Sequence, residues 1–382
     1  MVNHEIVKIA TDSPGIVIAT VYLALFLPAF FIKPSSSRFM DMEQTNQLKG
    51  LAILLVFAGH IDKIVPKSWI LPDISFIGVS IFLFCSGFGL MTSAMKRDYT
   101  VREFAYKRLL KIFIPYWIIT AIIIPADVLL LGKHYSVSEL IMTLMGINIT
   151  YSLKRLDYAR WFITYILIMY AFFISAVKLA RTPAARASAI LLMVIVMAAV
   201  LTVFRGRMVY ASGFIGYIGY CIFFPLGAYF AIVKDRFSFA NKSQPRPGWA
   251  GAASVITVLA YLWFCSSVAE PFRAEISSHA LNHSVFAAET IFSLAPLLLA
   301  LYFGGTKAKS AYLAFIGGIS FEVFLLHGII MVKYDFILPL GSFPIMFPLL
   351  FAVVLLAAYA FNRTVSALAT KGALRRPFSL ST

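Results

Sequence analysis

The chain has 382 residues, of which 60% are hydrophobic and only 13% charged, with a mean hydropathy of +0.86. This composition excludes an ordinary soluble domain and points to a polytopic membrane protein. The formal net charge of +16 is what basic loops on one membrane face produce, so no nucleic-acid partner follows from it.

Apolar runs long enough to span recur at 14–32, 48–65, 74–94, 110–131, 161–178, 187–204, 213–233, 248–267, 285–303, 313–332 and 345–362. They predict an all-α, polytopic transmembrane helix bundle of about eleven spans. The first run has no basic leader and no small-residue cleavage site, so it is read as a true span. The second span opens the stretch NQLKGLAILLVFAGHIDKI, with Lys49 at its mouth and His60 eleven residues farther on. Along a helix that separation is roughly 16 Å, about half of a hydrocarbon core. An ionisable group at such depth marks a functional site. The third span, FIGVSIFLFCSGFGL, carries Ser86, Gly87 and Gly89; small residues there let helix backbones approach closely.

The connection MKRDYTVREFAYKRLLKIFIPYW is the most basic in the chain. Thr100 and Glu103 form a capping-box pattern that starts a helix running into the fourth span, with Pro115 bending it. Arg108 and Lys111, three apart, share a face. The segment either anchors the chain by its positive charge or forms an anion site, where guanidinium forks fit phosphate oxygens. Ser136 and Glu139 form a second capping-box pattern ahead of LIMTLMGI, predicting a short helix at the membrane surface. Asp157, Arg160 and Trp161 stand at the start of the fifth span, where a tryptophan commonly belongs to an interfacial belt. Arg205 and Arg207 fall in a short turn, PLGAYFA closes the seventh span, and Glu289 within the ninth must face protein or a cavity.

The tenth span contains ISFEVFLLHGII, placing His327 at a depth similar to that of His60. Glu322 lies five residues earlier and roughly 140° round the helix, so it does not face His327. A lone histidine in an apolar helix is usually a packing residue; two at similar depth make function and packing equal readings for His327. His134, His279 and His283 are read as solvated, and Cys85, Cys221 and Cys265 as packing residues without metal spacing. About two-thirds of the 33 Lys and Arg residues gather on one side if the N-terminus is outside. The C-terminus and Lys49 are then cytoplasmic, and His60 lies from mid-membrane outward.

There is no P-loop, no GxSxG, no HExxH and no metal-ligand set. A buried histidine can take a proton from an alcohol, which is what acyl transfer to a hydroxyl requires. A transporter or flippase of an anionic solute would use the same intramembrane ionisable groups.

Taken together, LKGLAILLVFAGH, FLFCSGFGL, YKRLLKIFIPYW, ARWFITYILIMY, PLGAYFA and ISFEVFLLHG resemble, in order and spacing, the acyltransferase-3 family of integral membrane acyltransferases. The resemblance divides the chain into an extra N-terminal helix and connection (1–43), the membrane domain (44–365) and a basic cytoplasmic tail (366–382). It implies transfer of an acyl group, commonly acetyl or succinyl, from cytoplasmic acetyl-CoA or succinyl-CoA to a hydroxyl of a glycan or lipid-linked sugar. No metal is implied. The family's motif of a basic residue, ten residues and a histidine maps onto Lys49 and His60, with His60 the catalytic base. Arg102, Lys107, Arg108 and Lys111 would hold the CoA phosphates. Ser86, Trp161, Tyr165, Glu322 and His327 would support the catalytic or acceptor site. The expected location is the bacterial inner membrane. Three features depart from the common pattern: Lys49 stands where Arg is frequent, the Trp161–Tyr165 motif has no neighbouring Glu, and one span is added at the N-terminus.

Overall fold

The computed structural model describes residues 14–34, 39–61, 64, 74–97, 100–148, 156–203, 218–237, 248–264, 298 and 308–370. Helix α1 (Pro14–Phe26) is followed by a short strand, β1 (Ile32–Pro34), then α2 (Met42–Gly59) and α3 (Ile74–Lys96). Next come α4 (Val101–Arg108), a π-helical turn (Leu109–Phe113), α5 (Ile114–Leu131) and α6 (Val137–Leu144). A 3₁₀ turn (Tyr158–Arg160) leads into α7 (Trp161–Leu179), followed by α8 (Pro183–Val203), α9 (Phe223–Val233) and α10 (Gly248–Phe264). Strand β2 (Ala308–Ser310) precedes α11 (Ala311–Gly318), α12 (Ser320–Gly328), a second π-helical turn (Ile329–Lys333) and α13 (Phe343–Thr370).

Among the described residues, five stretches are long and apolar enough to cross a membrane: Ile74–Lys96, Val101–Leu131, Trp161–Leu179, Pro183–Leu201 and Phe343–Ala367. A sixth is the pair α11 and α12, bent by 69° around Ile319. The chain is therefore a multi-pass helical membrane protein, but eleven spans are not reproduced among these residues. Helix α1 has 13 residues, α9 has 11 and α10 has 17, and α2 opens on polar turns. The expected span at 285–303 lies outside the described residues, as do Arg205, Arg207, Glu289, His279, His283 and Cys265. Within this helical architecture β1 and β2 form one short antiparallel pair, Ile32 opposite Ser310.

Helix α2 forms the centre. Residues 52–59 are buried all round, as expected of a helix without a polar face. It packs chiefly against α3 and α11, while α3 packs against α9. Glycines set these distances. A Cβ on Gly87 would sit 2.0 Å from the Phe224 carbonyl oxygen, and one on Gly227 would sit 2.0 Å from that of Phe84. The two helices thus press backbone to backbone through reciprocal glycines. Gly89, expected to pack likewise, instead has nothing within 4 Å of its Cβ direction.

The basic connection folds as one long element, α4 through α5. Thr100 Oγ1 accepts the Glu103 backbone N–H at 3.1 Å, which starts the helix. The Glu103 carboxylate does not close the capping box in return; it pairs with Lys107 at 2.7 Å and Arg97 at 3.2 Å. Pro115 carries no N–H and its ring crowds the carbonyl four residues back, at Lys111. The chain relieves this by widening to the π-helical turn at Leu109–Phe113. At α6 the Ser136–Glu139 capping box is complete in both directions.

Candidate active site

A cavity of about 1070 Å³ runs beside α2. Met42, Asn46, Lys49, Val56, Gly59 and His60 all line it. From Met42 to His60 is about 27 Å of helix, close to the thickness of a hydrocarbon core. The two ends differ in chemistry.

One end is basic. Lys49 from α2, Arg108 from α4 and Lys111 from the π-helical turn line it together with Glu322 of α12. Lys49 Nζ donates to Asn46 Oδ1 at 2.9 Å. The Arg108 guanidinium lies 5.4 Å from the Phe104 ring centre and 5.1 Å from that of Tyr170, and its Nε is buried without a hydrogen-bond partner. Glu322, 7% exposed, accepts from Asn362 Nδ2 at 2.9 Å. Among the described residues no ion pair joins Lys49, Arg108 or Lys111 to a carboxylate. Three cations around one carboxylate leave an excess positive charge facing the cavity, a setting that favours an anion.

The other end is built around two histidines. His60 Nδ1 and His327 Nε2 are 2.7 Å apart, and the rings lie nearly parallel, at 12°, with centres 4.9 Å apart. His327 is fully buried, and its Nδ1 faces the Phe324 carbonyl oxygen at 2.7 Å. A carbonyl only accepts, so His327 Nδ1 carries the hydrogen and its Nε2 carries the lone pair. Across the 2.7 Å contact His60 Nδ1 must then donate. The lone pair of His60 is thereby assigned to Nε2. The chain of bonds fixes one tautomer of each ring, the arrangement needed to prepare a general base. The same cavity is walled by Ser75, Val79, Phe82, Trp161, Phe162, Tyr220 and Phe324, and ring contacts run from His327 through Phe324 to Phe162.

The structure sorts the residues expected from sequence. His60, Lys49, Ser86, Trp161, Glu322, Arg108 and Lys111 line the one cavity. His327 stands behind His60. Arg102 and Lys107 are exposed and outside it, with Lys107 held by Glu103. Tyr165 stacks edge-on against Trp161, centres 6.0 Å apart, but is buried away from the cavity, and its hydroxyl donates to Cys221 Sγ at 2.8 Å. Trp161, compatible in sequence with a membrane belt, is instead part of the cavity wall against Tyr220. Asn362 and Asn46 were not singled out in sequence; short polar residues inside spans were the available signal. Among the described residues no three His, Cys, Asp or Glu side chains converge as metal ligands would.

A family model described as an acyltransferase domain, Acyl_transf_3, matches residues 43–363. No curated protein and no solved structure matches. The match takes in both ends of the cavity, from Lys49 and His60 on α2 to Glu322 and His327 on α12, and the chain belongs to the acyltransferase-3 family of membrane acyltransferases.

Proposed function

We propose that the protein is an O-acyltransferase that takes an acyl group from cytoplasmic acyl-CoA and delivers it to a hydroxyl of a cell-surface glycan or lipid-linked sugar. The observation that carries this reading is the separation of charge and base along one cavity. The cations Lys49, Arg108 and Lys111 lie at one end and His60 lies at the other, about 16 Å apart along α2. The pantetheine arm of CoA has roughly a dozen bonds between its phosphate and its sulfur, about 15 Å when extended at backbone-like bond lengths. Phosphates held by the cations therefore bring the thioester within reach of His60.

In this reading His60 Nε2 accepts the proton of the acceptor hydroxyl as that oxygen attacks the thioester carbonyl. The C–S bond then breaks, and the proton passes to the leaving thiolate. His327 holds His60 in the required tautomer and stabilises its protonated form through the shared hydrogen bond. Trp161, Tyr220 and Ser75, which line the same cavity, carry N–H and O–H groups and in this reading supply donors toward the oxyanion. Ser320 opens α12 at the basic end, where the helix N-terminus adds partial positive charge for the phosphates.

A transporter of an anionic solute shares one feature with this molecule, the span broken by 69° around Ile319. The two readings part on covalent change. Purified protein in lipid is given radiolabelled acetyl-CoA or succinyl-CoA with a membrane extract as acceptor. Acyl label in the acceptor, lost in His60→Ala with donor binding intact, supports the transferase. Movement of an intact anion across vesicles without acyl transfer would overturn it.

A further inference from the structure

Outward of the histidines, a second cluster of buried charge has no part in the reaction just described. Asp127 of α5 is fully buried. Its carboxylate accepts from Lys333 Nζ, the Tyr135 hydroxyl and the Tyr334 hydroxyl. Lys333 Nζ also donates to the Leu156 carbonyl at 2.9 Å. One α5 turn pair toward the basic end, Thr120 Oγ1 accepts from Arg160 Nη1 at 2.7 Å, and the Arg160 guanidinium covers the Tyr116 ring at 4.9 Å.

These contacts tie three elements together. Lys333 ends the π-helical turn that follows α12 directly, six residues after His327. Leu156 and Arg160 bracket the turn that starts α7, whose Trp161 walls the cavity. Both are fastened to α5, Lys333 at Asp127 and Arg160 at Thr120. A buried ion pair contributes little net stability against an apolar replacement, yet it fixes geometry strongly because neither charge tolerates leaving its partner. The carboxylate here has three donors, so the arrangement is satisfied only in this register.

We infer that the Asp127–Lys333 pair is a positioning device for the histidine couple, holding α12 at the axial height where His327 Nε2 meets His60 Nδ1. His327 makes its other bonds within its own helix, so its height follows from what holds that segment at its two ends: Glu322 bonded to Asn362 toward the basic end, and Lys333 bonded to Asp127 beyond the histidine. The couple's N···N contact of 2.7 Å leaves no slack: a shift of the helix by about 1 Å breaks it, and misplacements of that size cost on the order of a hundredfold in rate.

The experiment uses full-length protein in lipid nanodiscs, with its six histidines labelled with ¹⁵N. The expected wild-type spectrum shows His327 as the Nδ1–H tautomer, with through-bond coupling between its Nε2 and His60 Nδ1. The double variant Asp127→Asn with Lys333→Met removes both charges together. It should keep the folded, monodisperse state and lose the coupling, with kcat down at least about tenfold and the KM for acyl-CoA within about twofold. Lys333→Arg, which keeps the charge opposite Asp127, should retain the coupling and most of kcat. Should the double variant not fold, Tyr135→Phe with Tyr334→Phe keeps the charges and removes two donors, with a smaller loss of coupling expected. Coupling that persists unchanged in every folded variant overturns the inference. The kinetic arm rests on the acyltransferase reading, whereas the spectroscopic arm does not. Loss of coupling in a protein that never transfers acyl groups would leave the positioning pair standing and remove the proposed reaction.

Discussion

His60 and His327 lie 267 residues apart in sequence and share a 2.7 Å nitrogen–nitrogen hydrogen bond. Because His327 Nδ1 is spent on the Phe324 carbonyl, the direction of that bond is determined, and with it the nitrogen of His60 that keeps its lone pair.

The first prediction follows from that direction. His60→Ala should abolish acyl transfer, while binding of acyl-CoA persists because the cations lie at the far end of the cavity. His327→Ala should leave His60 in place but release its tautomer. A loss of roughly 10²-fold in kcat is expected, within the range of general-base contributions. His327→Gln can accept from His60 through its amide oxygen and should recover part of that loss. Steady-state rates for the three variants check the order. Equal activity in His327→Ala and wild type would remove His327 from the mechanism.

A second prediction concerns the basic end. Arg108→Ala and Lys111→Ala should each raise the donor dissociation constant by roughly 10- to 100-fold, the cost of one charge-assisted hydrogen bond of about 1.5–3 kcal/mol. Arg108→Lys should recover little, since it loses both the fork and the stacking on Phe104 and Tyr170. Arg102→Ala and Lys107→Ala should change binding less than about threefold, because exposed pairs such as Lys107–Glu103 contribute little. Calorimetric titration with acetyl-CoA separates these outcomes. Equal losses across all four positions would mean that the whole connection, not the cavity, holds the donor.

Those four basic residues show what the sequence could and could not supply. Their cluster was visible as charge density, and Arg108 with Lys111 was visible as a shared helical face. Lys49 and His60 were legible because they sit on one helix, where spacing converts directly into distance. The partnership of His60 with His327 was legible only as equal depth; the bond itself depends on how α11, which leads into α12, packs on α2 around Gly317 and Gly50. A Cβ on Gly317 would lie 1.8 Å from the Asn46 carbonyl oxygen. Tyr165 entered through the family resemblance alone; it sits one turn from Trp161, with its hydroxyl turned to Cys221. Asp127 and Lys333 gave no local signal, being single charges in separate apolar helices.

A third prediction uses Tyr135, which lies between α5 and α6, outside the spanning segments. Burial, and then its hydrogen bond to Asp127, push its hydroxyl far above the ordinary tyrosine value of 10. The folded state therefore holds this proton more tightly than the unfolded chain does. Its contribution to stability is fully present below pH 10, and is lost as pH rises from there through the folded-state value. Thermal unfolding in detergent should show a stability plateau up to about pH 10 and a decline above it. Tyr135→Phe should lower the plateau and flatten that part of the decline. A decline of unchanged size in Tyr135→Phe would place the titrating group elsewhere.

A fourth prediction contrasts two glycines on one helix. Gly87 touches the Phe224 backbone, with 2.0 Å available to a new Cβ, so Gly87→Ala must separate α3 from α9. Backbone cannot move aside as a side chain can, and the expected result is poor folding, seen as loss of monodisperse protein. Gly89, two residues on, points into the cavity with nothing within 4 Å. Replacing a mid-helix glycine improves helix propensity by up to about 1 kcal/mol, so Gly89→Leu should fold at least as well as wild type. Its side chain, however, reaches into the path through the cavity that Lys49, Arg108, Lys111 and His60 all line. If the donor's arm lies along that path, Gly89→Leu should bind the phosphates of free CoA normally, yet transfer acyl groups at least tenfold more slowly. Gly89→Ala should fall between the two. Wild-type turnover in Gly89→Leu would show that the thioester reaches the histidines by another route, and the length match between the cations and His60 would lose its meaning.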